Sequence, residues 1–161
     1  MNYEIVNLDE KIIVGVSAIT SNSDPKMGEI IDELWQKLYQ DGIHNAIKNK
    51  VNKHSIGLYS DYLDDKYRVT VGSEVSKLEN NELTLKIIPA GKYAKFSMHG
   101  PLPQIVGEAW SEIWKMDLDR SYTGDFEEYL NGDAENGEVD IYIALRSNNA
   151  SSHKPMGVLA V

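Results

Sequence analysis

Two stretches of this chain read alike at an offset of about 75 residues. Asp24-Pro25 opens a run in which Met27, Ile30, Ile31, Leu34, Trp35 and Leu38 recur at helical spacing. Gly100-Pro101 opens a second, with Leu102, Ile105, Val106, Ala109, Trp110, Ile113 and Trp114 on one face. Proline suits the first turn of a helix, and Asp24 offers an N-terminal acceptor. The pattern predicts helices over 25–39 and 101–115, the first closed by Asp41-Gly42. Around each helix lie β-rich runs. Residues 3–19 turn at Asp9-Glu10-Lys11, and 83–99 turn at Pro89-Ala90-Gly91. Two strands, 55–63 and 67–75, follow the first helix, with Tyr67, Val69 and Val71 on one face and Gly72 marking a bulge or close approach. Strands near Phe126 and over 139–143 follow the second.

Strand, helix, strand, strand, repeated once, means two similar halves. The expected fold is α+β: two pseudo-symmetric β-α-β-β modules forming a concave antiparallel sheet backed by two helices. Module one covers about 1–76 and module two about 83–146 of a single domain, 1–146, with 147–161 as a peripheral tail in which apolar Met156 to Val161 could dock. A chain of 161 residues is long enough to bury one core.

Composition narrows the chemistry. The chain has no cysteine, which removes disulfides and thiolate sites. His44, His54, His99 and His153 share no metal-ligand spacing, so no metal is expected; His99 reads as a turn residue at the second helix entry. There is no Gly-x-Gly-x-x-Gly, Walker-type or Gly-x-Ser-x-Gly loop, and no cofactor is expected. A net charge of −9 argues against direct nucleic-acid contact. The small basic cluster Lys48, Lys50, Lys53 and His54 reads as a solvated turn. No apolar run is long enough to span a membrane, and the start lacks signal-peptide character, so a cytoplasmic location is the default.

The stretch Asp125-Phe126-Glu127-Glu128-Tyr129-Leu130 carries the functional question. With period-two alternation, Phe126 faces a packed layer while Glu127 and Tyr129 share the other face. A carboxylate beside an aromatic ring is costly to bury unless something cationic or hydrogen-bonding meets it. Glu128 stands where alternation calls for an apolar residue, and an exposed acidic edge strand is the plain alternative.

The second half resembles the gyrase-inhibitor-like (GyrI-like) effector-binding domain, also found appended to AraC-type and MerR-type regulators. The resemblance rests on Ile88-Pro89-Ala90-Gly91-Lys92-Tyr93-Ala94, His99-Gly100-Pro101, Ala109-Trp110, Ile113-Trp114, Ser121-Tyr122, Phe126-Glu127-Glu128-Tyr129 and Val139-Asp140-Ile141-Tyr142-Ile143. With Gly72, Glu74 and Val75 from the first half, it covers about residues 1–146. It implies a pocket whose central acid falls on Glu127 and meets lipophilic cations among aromatic side chains. No DNA-binding helix-turn-helix precedes the matched stretch, which implies a stand-alone member.

Candidate ligand-binding residues are therefore Glu127, Tyr129, Trp110, Tyr67 and Tyr93. Glu127 is a cation anchor or, if the protein is an enzyme, a general acid/base. Tyr129 supplies a ring wall or a hydroxyl, and Trp110 is aimed at the pocket by the resemblance. Trp114, one turn on, reads as core. The favoured function is binding of amphipathic, aromatic, often cationic small molecules. The resemblance also admits a hydrolase that opens cyclopropane-containing DNA-alkylating compounds with the same glutamate, and a protein-binding modulator of a partner enzyme. Oligomeric state is left open.

Overall fold

A computed structural model of the chain describes residues 1–79 and 82–147. The strands are β1 (Glu4–Leu8), β2 (Lys11–Ser21), β3 (Ser55–Leu63), β4 (Lys66–Val75), β5 (Thr84–Ile88), β6 (Gly91–Gly100), β7 (Asp125–Tyr129) and β8 (Gly137–Ala144). The helices are α1 (Met27–Gln40), the single turn α2 (Ile43–Ala46) and α3 (Gln104–Trp114). All eight strands form one antiparallel sheet in the order β1-β6-β8-β7-β3-β4-β2-β5. The class is α+β, as the repeat implied.

That order is unchanged when it is reversed and each strand of one half is exchanged for its counterpart in the other. The sheet is thus pseudo-twofold about the β3–β7 pair. Each half carries one strand more than the expected β-α-β-β module, and that strand is donated across: β1 pairs with β6, and β5 with β2. The five β3–β7 pairs centre on Gly57 opposite Glu127, with Tyr59 opposite Asp125 and Ser55 opposite Tyr129.

Alternation divides the core between the two faces of the sheet. On one face Leu34 and Leu38 of α1 pack on Val14, Val16, Tyr67, Val69 and Val71. On the same face Val106, Ala109 and Ile113 of α3 pack on Ala94, Phe96, Val139, Ile141 and Ile143. The helix positions correspond at the 75-residue offset, Leu34 with Ala109 and Trp35 with Trp110. The opposite face carries Ile13, Ile56, Leu58, Ile88, Tyr93, Phe126 and Tyr142 without any helix, and Phe126 stacks on Tyr142 at 4.5 Å.

Both helices start later than expected. Asp24 caps the turn ahead of α1, accepting from Lys26 N at 2.8 Å, and helical geometry begins at Met27. Residues 101–103 likewise form a turn before Gln104. His99 lies within β6, opposite Glu138, because that strand runs on to Gly100; it does not shape the helix entry. Apart from Ser147, the expected tail, Met156 to Val161 included, lies outside the described residues. Among the described residues no helix is long and apolar enough to cross a membrane.

Gly72 marks a close approach. It sits opposite Gly15, where the backbones of β4 and β2 come so near that a Cβ on Gly15 would stand 1.9 Å from the Val71 carbonyl oxygen. A Cβ on Gly72 would meet the Val14 carbonyl oxygen at the same 1.9 Å. Backbone cannot yield as a flexible side chain does. Gly15→Ala and Gly72→Ala are therefore expected to cost at least about 3 kcal/mol, the upper end of overpacking. Urea denaturation of each variant measures this, and a loss below about 1 kcal/mol would contradict the close approach.

Candidate ligand-binding site

Glu127 projects from the middle of β7 onto the helix-bearing face. Its side chain is 2% exposed and accepts three hydrogen bonds, all from neutral donors. Tyr59 Oη and Trp110 Nε1 donate to Oε2 at 2.9 and 2.7 Å, and Tyr129 Oη donates to Oε1 at 2.7 Å. Tyr59 and Tyr129 are counterparts under the pseudo-twofold, each two residues beyond the central pair on its own strand. The space for the carboxylate comes from Gly57, where a Cβ would lie 3.1 Å from Glu127 Oε1 and 3.3 Å from the Trp35 ring.

Beside this carboxylate is a cavity of about 220 Å³. Tyr59, Tyr62 and Tyr67 from β3 and β4 form one wall, and Val106, Gly107, Trp110 and Trp114 from α3 form another. Glu127, Arg120, Met27 and Asn22 complete the lining. The rings interlock edge to face: Tyr59 with Trp110 at 5.5 Å and with Tyr67 at 5.8 Å. Such contacts hold the wall in shape without filling the cavity.

Among the sequence candidates, Glu127, Trp110 and Tyr67 come together at the cavity. Tyr129 touches the carboxylate but is absent from the lining; its ring packs edge-on against Trp35 at 5.2 Å. Tyr93 is a correction. It is 1% exposed in the helix-free cluster and donates to the Pro89 carbonyl at 2.6 Å, because alternation along β6 turns it away from the cavity face. Trp114 is a second correction: it is 52% exposed and lines the cavity mouth, since it sits in the last turn of α3, one turn beyond Trp110. The cavity also lies on the helix-bearing face, between sheet and α3, so the helices flank it and do not simply back the sheet.

Glu128 occupies the other face, its side chain 15% exposed and 2.7 Å from His54 Nδ1. β7 lies inside the sheet between β8 and β3, which rules out the exposed edge strand. Tyr59, Tyr62 and Arg120 were missed. Tyr59 had a signal: Gly57-Leu58-Tyr59 aligns with Glu127-Glu128-Tyr129 once the central strands are paired. Arg120 had none, since it lies in the irregular link after α3.

The electrostatics separate two acids on one strand face. Asp125 is fully buried and well provided: Arg120 Nη2 at 2.7 Å, Tyr62 Oη at 2.6 Å and Ala144 N at 2.8 Å. Glu127 pairs with no cationic side chain among the described residues. Burial pushes its pKa up, and the bonds from Tyr129, Trp110 and Tyr59 pull it back only in part. Burial, with the Glu127 charge adding to it, also holds the Tyr59 and Tyr129 hydroxyls well above the usual phenol range, so both stay donors. Tyr67 is pushed up to about 12, mainly by burial.

The family model described as Cass2, integron-associated effector binding protein, matches residues 4–145. The chain belongs to that family. Among its relatives, YobU of Bacillus subtilis (strain 168), a candidate transcriptional regulator protein, is 33% identical over 154 residues, 88% of this chain and 96% of its own. The integron cassette protein VCH_CASS2 from the mobile metagenome of Vibrio cholerae is 28% identical, with a TM-score of 0.72 over 89% of this chain and 95% of that one. SAV2435, solved bound to tetraphenylphosphonium, shares the fold at a TM-score of 0.78 and 20% identity, over 95% of this chain and 98% of its own. Effector binding is thus the description the family carries.

A raised folded-state pKa sets the sign of a stability effect. The folded chain holds the Glu127 proton at pH values where the unfolded chain has released it. Stability from this group is present at low pH and falls as pH rises through the folded pKa. Glu127→Gln cannot ionise, so the ligand-free variant is expected to gain stability relative to the wild type as pH is raised from a value in the ordinary glutamate range to one above the raised Glu127 pKa. Urea midpoints at the two pH values test this; parallel pH dependence in both proteins would refute it.

Proposed function

We propose that this protein binds amphipathic, aromatic, cationic small molecules in the cavity beside α3, with Glu127 as the charge anchor. One observation carries the reading: a buried carboxylate with three neutral donors and, among the described residues, no cationic partner borders a cavity walled by aromatic rings. The donors hold the carboxylate in place but do not neutralise it. A ligand cation would supply the missing charge, and the faces of Trp110, Tyr59 and Tyr67 would each add about 0.5–2 kcal/mol of stacking or cation–π attraction. Several such contacts are needed for micromolar binding, which corresponds to about 8 kcal/mol. Tetraphenylphosphonium bound to SAV2435 is a ligand of this kind on the same fold.

The cavity of about 220 Å³ is small against the roughly 300–1,000 Å³ typical of drug-sized ligands. It suits one or two rings, with larger ligands projecting past Trp114 and Met27 at the mouth. Benzyltrimethylammonium and its neutral isostere neopentylbenzene form a suitable pair of probes. Calorimetric titration should show the cation binding more tightly than the isostere. Glu127→Gln should weaken the cation at least about tenfold and the isostere little, because only the charge attraction is lost. Glu128→Gln should change neither. Equal losses for both probes would refute the anchor.

The same reading has a pH signature. Benzyltrimethylammonium does not titrate, so pH dependence of its binding reports the protein. Its charge favours ionised Glu127, and binding should release a proton. Affinity is then expected to fall as pH drops through the raised Glu127 pKa, with a flat profile in Glu127→Gln. A wild-type profile as flat as the variant's would contradict the assignment.

A further inference from the structure

Among the described residues Arg120 is the one cation in the cavity lining, and its arrangement exceeds what a structural ion pair needs. Its backbone is held by an isolated bridge to Leu145, next to Ala144, whose N–H binds Asp125. Its guanidinium lies over the Tyr122 ring at 4.3 Å and donates from Nη2 to Asp125 Oδ2 at 2.7 Å. The side chain is only 10% exposed, and its Nε–H has no hydrogen-bond partner among the described residues. Asp125 has further partners besides Arg120, with Tyr62 on the same oxygen and Ala144 N on the other. A lysine would neutralise Asp125 equally well. The guanidinium instead brings five donors in a fixed fork, and a buried donor left unpaired is destabilising.

We infer that Arg120 is a second, donor pole of this cavity, and that the preferred ligands are aromatic cations that also carry an acceptor oxygen such as a carbonyl or ester. This rests on the reading of the cavity as a cation site. The geometry sets a length. Asp125 and Glu127 stand two residues apart on one strand face, roughly 7 Å at about 3.3 Å per residue. Arg120 is anchored at the first position and the ligand cation meets the second. One aromatic ring spans this distance, with the cation on a benzylic carbon and the acceptor at the para position. A cation without an acceptor occupies the carboxylate end and leaves the guanidinium donors unmet. Arg120 is thus a specificity residue, and Asp125 and Tyr122 position it.

Two probes of equal shape separate the ideas: (4-acetylbenzyl)trimethylammonium and (4-isopropenylbenzyl)trimethylammonium, which differ by a carbonyl oxygen in place of a methylene. In the wild type the acetyl compound should bind about five- to tenfold more tightly. Arg120→Lys keeps a charge beside Asp125 and should erase most of that preference. The double variant Arg120→Met/Asp125→Asn removes both charges together, leaves no buried charge unpaired, and should do the same. Circular dichroism and thermal midpoints report folding for each. No preference in the wild type overturns the inference whether or not any variant folds, and so does a preference that survives in a folded variant. If both cations bind equally and depend on Glu127, the donor pole fails while the cation site stands. If neither binds, both readings fail together.

Discussion

The site depends on keeping the Glu127 carboxylate out of water without giving it a countercharge. An ionised carboxylate in an apolar setting is expensive, and proteins usually meet the cost with a lysine or arginine. Here the compensation is three neutral donors, drawn from β3, β7 and α3. Each donor must be held rigidly, since a hydroxyl that rotates away leaves the acid unsatisfied. The ring contacts of Tyr59 with Trp110 and Tyr67, and of Tyr129 with Trp35, provide that rigidity. The apolar packing of α3 on the sheet therefore serves the polar site, because it fixes where the Trp110 N–H points.

The pseudo-twofold explains why there is a single acid. The axis passes through the β3–β7 pair, so whatever stands on one strand at that point faces its own counterpart. Two glutamates there would place like charges directly opposite one another, which is destabilising. The halves instead differ at this position: one contributes the acid, the other Gly57, whose missing side chain leaves room for it. Beside the axis the halves stayed alike. Tyr59 and Tyr129 approach Glu127 from opposite sides, and Trp35 and Trp110 flank it from equivalent places on α1 and α3.

Asp125 shows what a paired acid looks like in the same strand. It has Arg120, a tyrosine hydroxyl and a backbone N–H, and it holds the Arg120 guanidinium above its usual range even though burial opposes the charge. Two residues away Glu127 has the tyrosines and the tryptophan but, among the described residues, no cation. The sequence motif is two similar acids on one face. The chemistry differs because the irregular link after α3 delivers an arginine to Asp125, while no described residue brings a cation to Glu127.

Local patterning determined much by itself. The strands over 55–63 and near Phe126, both helices, the repeat and the α+β class follow from periodicity, since alternation and helical spacing are properties of neighbouring residues. The hint of close approach at Gly72 belongs there too, whereas alternation put Glu127 and Glu128 on opposite faces without deciding which of them borders a cavity. What periodicity could not reach was decided by pairing between distant strands. Alternation along β6 sets Tyr93 on the face opposite Ala94 and Phe96, but only the packing of α3 on Ala94 and Phe96 decides which face bears the helix, and only the assembled sheet and α3 enclose a cavity that takes in Trp114. Tyr62 reaches the site through the register shift in β3 between Ser60 and Leu63, and Arg120 because the chain after α3 bridges Leu145 just beyond β8. Such placement is the outcome of long-range contacts among the two halves, and no stretch of neighbouring residues encodes it.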